Sequence, residues 1–334
     1  MTIKKNDTAG KIIKTILDSS NVLIISHYNP DADAYGSSLG LMHLLAKAKK
    51  KCKVINESGI LRRYKFIPGI ENIISAQEIE TLDTFIPDCI VITDCGSLER
   101  AGLKVKELIK KIVSLNPKTP IINIDHHVSN DMFGTLNYVV GGGSSTAEVI
   151  FSLFNESLKI TVDAAACLLS GIMGDTGSFR YSATTSTTFD IAATLTKLGA
   201  CPTVIGKGLY GSTSLSSVLL QSEALNKLEL LHDKKVGIVT ITKDMFAKYQ
   251  AELDSTDGLV EKVRDIEGVE IAIAVRQDES IWRVSIRSSS NNVNVSNLAG
   301  KFGGGGHVQA AAFRWSKDIK ELRRRLELEL KNII

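Results

Sequence analysis

The 334-residue sequence is long enough for two domains with separate cores, and its 43% hydrophobic and 23% charged residues are typical of soluble globular proteins. A net charge of +3 is too small for a protein that grips long duplex nucleic acid, so it favours a short anionic ligand. The five cysteines form no C-x-x-C pair, and no apolar run reaches the ~20 residues that span a bilayer. We therefore expect a cytoplasmic protein with no disulfide framework, no thiolate zinc site and no membrane partner.

Apolar strand-like runs alternate with helical periodicity in the first half of the chain. Strands are predicted at 21–26, 89–93 and 121–124, and helices at 37–50 and 162–174. Continuous apolar strands separated by helices indicate a parallel sheet that is covered on both faces.

The pattern changes from about residue 234. Strands are predicted at 235–242, 269–277 and 282–289, and a charged amphipathic helix at 318–334. The sequence thus predicts an α/β protein whose larger domain has a mostly parallel sheet flanked by helices. A linker joins it to a smaller α/β C-terminal domain with a mixed sheet. The predicted boundaries are 1–195 for the first domain, 196–228 for a helix and linker, and 229–334 for the second domain.

Acidic and histidine side chains directly follow the predicted apolar elements of the first domain. Because the carboxyl ends of parallel strands meet in one crevice, we expect these side chains to converge. Carboxylate and imidazole ligands suit manganese, magnesium or iron, and one shared carboxylate is needed to hold two ions ~3.5–4 Å apart. Taken alone, Asp31 or Asp33 could equally well be a cap of the helix that follows. The candidates are His27, Asp31, Asp33, Asp94, Asp125, His126, His127 and Asp175.

Four segments resemble the motifs of the DHH phosphoesterase superfamily: HYNPDADAYGSS, TDCGSLERAG, IDHH and GDTGSFRYSATT. The C-terminal segment IRSSSNNVNVSNLAGKFGGGGHVQAAAF resembles the DHH-associated substrate domain. The motifs occur in the family's order and cover nearly the whole chain. Length and layout are most similar to the branch of NrnA-type oligoribonucleases and adenosine 3′,5′-bisphosphate phosphatases.

The resemblance implies a role for each candidate in a centre of two divalent ions, expected to be manganese. By position, His27 and Asp31 would hold one ion, while Asp33, His126 and Asp175 would hold the other. Asp94 would bridge them, with a hydroxide activated by both metals as the attacking group. Asp125 would orient a histidine, and His127 would stabilise the phosphoryl oxygens or protonate the leaving group. The implied catalytic residues are Asp94, Asp125 and His127.

The same resemblance implies substrate contacts in both domains. Arg100 would bind phosphate from the first domain, and Arg287 would grip a phosphate or a base from the second. A glycine run alone is more often a flexible turn, but here it precedes a histidine, which favours backbone N–H groups presented to an anion. These predicted contacts are Gly304, Gly305, Gly306 and His307.

Three functions remain open at this point. The first is hydrolysis of short oligoribonucleotides to mononucleotides, together with removal of the 3′-phosphate of adenosine 3′,5′-bisphosphate. The second is a phosphodiesterase for cyclic di-AMP or for the linear dinucleotide pApA, and the third is a nucleotide-binding protein without activity. Asn29, Val308 and Ala312 depart from the family pattern, which leaves the substrate preference undecided. The sequence also leaves the oligomeric state open, and a homodimer is one of the possibilities.

Overall fold

The computed structural model describes residues 7–79, 85–211, 213–290, 293–306 and 308–333. The chain forms two compact units, Met1–Ser212 and Thr213–Ile334. The division between them falls inside the segment 196–228, for which the sequence predicts a helix and linker.

The first unit contains a parallel sheet of six strands in the order β3-β2-β1-β4-β5-β6. Its strands are β1 (Asn21–Ile25), β2 (Lys51–Asn56), β3 (Ile73–Ser75), β4 (Cys89–Thr93), β5 (Ile121–Asp125) and β6 (Leu136–Val139). Its helices are α1 (Asp7–Asp18), α2 (Ala32–Lys47), α3 (Leu103–Leu115), α4 (Thr146–Phe154), α5 (Val162–Asp175), α6 (Ser186–Lys197) and α7 (Pro202–Tyr210).

Both faces of this sheet are buried. In β1, Val22 and Ile24 join one apolar cluster and Leu23 and Ile25 join another, because successive side chains of a strand point to opposite faces. Burial on both sides explains why the central strands are continuous apolar runs.

Helices α2 and α5 approach each other closely through glycines. A Cβ atom at Gly36 would lie 2.5 Å from the carbonyl oxygen of Cys167, and one at Gly174 would lie 2.4 Å from Cβ of Ala32. A Cβ at Gly171 would lie 2.6 Å from Oδ1 of Asp33. Larger side chains would separate the helices, so these glycines place the start of α2 beside the end of α5.

The second unit contains a mixed sheet in the order β11-β12-β10-β9-β8-β7, in which β8 and β9 run parallel and the other pairs are antiparallel. Its strands are β7 (Glu229–Leu231), β8 (Val236–Ile241), β9 (Ile271–Asp278), β10 (Ile281–Ser288), β11 (Gly305–Gly306) and β12 (Ala310–Trp315). Its helices are α8 (Leu215–Asn226), α9 (Lys243–Tyr249), α10 (Leu259–Arg264), α11 (Val295–Gly300) and α12 (Ile319–Leu330).

The predicted fold class is confirmed, since a parallel sheet between helices is followed by a smaller unit with a mixed sheet. Helix α2 begins at Ala32, earlier than the predicted range 37–50. Across the described ranges, no helix combines the length and the apolar character needed to cross a bilayer.

Candidate metal centre

The candidate site lies where the strand order of the first sheet reverses. Strands β1 and β4 are neighbours, yet the chain continues from β1 to β2 and β3 on one side and from β4 to β5 and β6 on the other. In open α/β sheets, ligands bind at the carboxyl ends of the strands that flank this switch point. His27 follows β1 and Asp94 follows β4, so both residues lie at that position.

Among the residues that the structure describes, three groups of side chains have ligand atoms that all lie within 4.8 Å of one another. The first two groups correspond to the two predicted ligand sets, and the third contains the DHH triplet. The groups are His27, Asp31 and Asp94; Asp33, His126 and Asp175; and Asp94, Asp125, His126 and His127.

In the first group, His27 faces two carboxylates through one ring nitrogen. Its Nε2 lies 3.5 Å from Oδ2 of Asp94 and 3.9 Å from Oδ1 of Asp31. Nδ1 lies 2.8 Å from the carbonyl oxygen of Tyr28, which requires the proton on Nδ1 and leaves Nε2 as the ligand nitrogen. Asp31 also caps α2, since its Oδ1 accepts the N–H groups of Asp33 and Ala34.

In the second group, His126 has the same arrangement. Its Nε2 lies 3.1 Å from Oδ2 of Asp175, and its Nδ1 lies 3.0 Å from the carbonyl oxygen of Gly143. Asp33 completes the group from α2, which the glycine packing holds against the end of α5 that carries Asp175.

Asp94 lies between the two groups. Its Oδ2 faces His27, while its Oδ1 lies 3.6 Å from Nε2 of His126 and 3.7 Å from Nδ1 of His127. Each carboxylate oxygen thus faces a different group, as a carboxylate shared by two ions must.

The remaining residues of the DHH triplet form a hydrogen-bonded pair. Nδ1 of His127 donates to Oδ1 of Asp125 at 2.7 Å, and Nδ2 of Asn130 donates to Oδ2 of Asp125 at 2.6 Å. Asp125 is fully buried. The pair holds His127 with Nε2 on the side of the ring away from Asp125. Sequence reasoning missed Asn130, although it follows the triplet by only three positions.

The electrostatics of the site fit bound cations. Burial, followed by the charges of Asp94 and Asp175, raises the pKa of Asp33 well above its usual value. Burial by itself lowers the pKa of His126 and raises the pKa of Asp94. Contact between the imidazoles and the carboxylates has the larger effect, so the pKa of His126 rises to about 11 and the pKa of Asp94 falls below its usual value. Several carboxylates therefore share a buried pocket that divalent ions would neutralise, and the donor set of oxygen and imidazole suits manganese or magnesium.

Carboxylates cap three helix N-termini that begin after the carboxyl ends of these strands. Asp31 caps α2, and Glu57 accepts the N–H groups of Lys104 and Val105 at the start of α3 at 3.4 and 3.0 Å. Asp33 accepts the first two N–H groups of α4. Helix N-termini are common phosphate sites, but these three hold carboxylates instead. These three N-termini are therefore not available as donors to a phosphate.

Arg100 is the cationic side chain that the resemblance adds to this site. It is exposed and lies just before α3. Its carbonyl oxygen accepts the N–H of Tyr28 at 2.7 Å, which ties the segment to the loop after β1.

In the second unit, the predicted contact Arg287 lies on β10, Gly305 and Gly306 form β11, and Gly304 directly precedes that strand. Nε of Arg287 donates to Oε1 of Glu261 at 2.9 Å, a partner that sequence reasoning missed. A Cβ at Gly304 would lie 2.2 Å from the carbonyl oxygen of Ala312, whereas one at Gly305 would meet none of the described residues within 4 Å. His307 lies outside the described residues.

The fold and the site together define a two-unit α/β protein with a candidate dinuclear metal centre at the switch point of a doubly wound sheet. Family models for the N-terminal domain of the DHH family and for the DHHA1 domain match residues 21–172 and 233–332. The bifunctional oligoribonuclease and PAP phosphatase NrnA of Thermus thermophilus is 30% identical over 309 residues, which cover 92% of this chain and 87% of that protein. The chain belongs to the DHH family, so the resemblance in the sequence is confirmed.

Two further relatives bear on the comparison. The cyclic-di-AMP phosphodiesterase PdeA of Listeria monocytogenes is 29% identical, over 89% of this chain and 45% of that protein. The crystal structure of an exopolyphosphatase-related protein from Bacteroides fragilis superposes with a TM-score of 0.89 at 27% identity, covering 97% of this chain and 96% of that one. The similarity therefore spans both units.

Proposed function

We propose that this protein is a two-metal phosphoesterase that hydrolyses short oligoribonucleotides to mononucleotides and removes the 3′-phosphate of adenosine 3′,5′-bisphosphate. The observation that carries the proposal is the position of Asp94 between two ligand groups, with one carboxylate oxygen directed at each. The name of the Thermus thermophilus relative, which is matched over most of both chains, supports the choice of substrates.

His27, Asp31 and Asp94 would hold one divalent ion, and Asp33, His126, Asp175 and Asp94 the other, with manganese as the expected metal. Such ions lower the pKa of water and offset charge on phosphoryl oxygens. Nδ1 of His127 donates to Asp125, which leaves Nε2 directed to the phosphate or to the leaving oxygen. To donate a proton there, Nε2 would carry the second ring proton of the imidazolium form. Arg100 supplies further positive charge for the phosphate, since the helix N-termini are occupied by carboxylates.

A second candidate function is hydrolysis of cyclic di-AMP or of pApA. It is favoured by the similarity to PdeA, which covers most of this chain. This chain spans less than half of that relative, so the similarity leaves the first candidate ahead.

Turnover of a substrate panel with manganese tests the proposal. The panel contains di- to pentaribonucleotides, adenosine 3′,5′-bisphosphate, pApA and cyclic di-AMP. We expect the short linear substrates and the bisphosphate to be hydrolysed by the wild type, and Asp94→Asn to lose activity while the exposed Asp190→Asn keeps it. A clear preference for cyclic di-AMP would favour the second function. Binding of nucleotides with no turnover of any substrate would indicate a protein without catalysis.

A further inference from the structure

Thr146, the first residue of α4, contacts an aspartate from each of two other segments. Its backbone N–H donates to Oδ2 of Asp33 at 2.6 Å, and its hydroxyl donates to Oδ1 of Asp94 at 3.0 Å. The N–H of Ala147 donates to the other oxygen of Asp33 at 3.0 Å. Thr146 and Asp33 are fully buried, and only 2% of the surface of Asp94 is exposed.

The hydroxyl of Thr146 is not needed to begin the helix. Ser145 is the N-cap residue, and its Oγ accepts the N–H of Glu148 at 3.1 Å. The Thr146 hydroxyl is instead directed at Asp94, whose backbone has a φ of 54°, in the left-handed region that non-glycine residues rarely adopt. A donor on Oδ1 limits rotation of this carboxylate, so that Oδ2 continues to face His27 while Oδ1 faces His126.

We propose that Thr146 is a positioning residue that sets the orientation of the shared carboxylate of Asp94 for two cations. This inference rests on the proposed function, because it concerns the same metal centre. Groups that hold metal ligands in place commonly matter almost as much as the ligands themselves. The sequence gives no sign of this role, since Thr146 and Asp94 are 52 positions apart.

Calorimetric titration of manganese into metal-free protein tests the proposal without substrate. Thr146→Val removes the hydroxyl and keeps the shape and the backbone N–H, while Thr146→Ser keeps a hydroxyl. The matched control is Thr188→Val, which removes another fully buried hydroxyl, one that bonds Thr185 at the start of α6. Thermal unfolding of each metal-free variant measures the purely structural cost.

We expect Thr146→Val to weaken manganese binding about 10–100-fold, and Thr146→Ser to restore most of the affinity. Thr188→Val should lower the unfolding temperature and leave manganese affinity at the wild-type value. Wild-type affinity in Thr146→Val, equal losses in Thr146→Val and Thr188→Val, or failure of the serine variant to restore binding would each overturn the proposal. If manganese affinity responds as expected while the wild type hydrolyses nothing, the proposed function fails and the positioning role stands.

Discussion

Asp125 and His127 lie two positions apart, and Nδ1 of the histidine donates to Oδ1 of the aspartate at 2.7 Å. Burial alone would raise the pKa of Asp125, but the hydrogen bond and charge of His127, with a smaller contribution from Asn130, lower it. The carboxylate is therefore ionised and accepts from both neighbours. Through this hydrogen bond, Asp125 at the buried end of β5 fixes the orientation of the His127 ring toward the candidate centre.

Asp125→Asn should lower kcat about 10–100-fold and leave manganese affinity unchanged. An asparagine side chain has only one accepting oxygen, so its NH2 group would face the N–H of either His127 or Asn130. Steady-state kinetics and calorimetry measure the two quantities, with the exposed neighbour Asp131→Asn as the control. If manganese affinity falls as far as kcat does, Asp125 is itself a ligand and its assigned role is wrong.

Manganese should stabilise the first unit. Burial and neighbouring carboxylates raise the pKa of Asp33, and bound cations would relieve the same repulsion. At a metal concentration of 100 times Kd, the gain is about 2.7 kcal/mol, or roughly 5–10 °C in Tm for a domain of this size. Calorimetric scans of chelator-treated protein with and without manganese measure the shift, which Asp94→Ala should lose. An equal shift in that variant would mean that the ions bind elsewhere.

Gly36→Ala should destabilise the protein by about 1–3 kcal/mol and also reduce turnover. Its Cβ would lie 2.5 Å from the backbone of α5, so α2 and its aspartates would have to move. Gly10→Ala is the matched control in a helix, because a Cβ there meets no atom of the part of the chain that the structure describes within 4 Å. This control should stabilise by about 0.5–1 kcal/mol through lower backbone entropy of the unfolded chain. Urea denaturation distinguishes the two, and equal stability would show that the helix contact is looser than described.

Arg287→Ala should raise KM for pApA about 10-fold with little change in kcat, because a phosphate contact made before and during reaction contributes uniform binding. Glu261→Ala should give a smaller rise, since Glu261 only holds the guanidinium through Nε. Arg324→Ala, an exposed position on α12, is the control. Unchanged KM in Arg287→Ala would remove this residue from the substrate site.

Two neighbouring glycines should respond differently to alanine. Gly304→Ala should destabilise the second unit by about 1–3 kcal/mol, because its Cβ would overlap the backbone of β12. A Cβ at Gly305 meets no described residue within 4 Å, so Gly305→Ala should unfold as the wild type does, yet raise KM if backbone N–H groups there approach an anion. Thermal unfolding and KM for adenosine 3′,5′-bisphosphate measure both effects. A wild-type KM in Gly305→Ala would contradict the predicted phosphate contact.

The sequence predicted the fold class and the convergence of the metal-ligand candidates because both depend on local patterns. Apolar runs identified the central strands, and polar residues directly after them marked one edge of the sheet. Strand β2 was missed because its first half, which contains Lys51 and Lys53, is exposed and lacks the continuous apolar run of the central strands. The early start of α2 was missed because Gly36 is a poor helix former, and its place in α2 depends on the close packing of α5.

The supporting contacts of the site could not be predicted, because they join residues far apart in the chain. Asp33 and the N–H of Thr146 are 113 positions apart, and Glu57 and the start of α3 are 47 positions apart. The sequence left open whether Asp31 or Asp33 caps a helix. The structure shows that Asp31 caps its own helix and Asp33 caps a different one.

A crystal structure of the protein soaked in manganese tests the central claim most directly. We expect two ions, one bound by His27 and Asp31, the other by Asp33, His126 and Asp175, with Asp94 contacting both. A single ion, or two ions with no shared carboxylate, would contradict it.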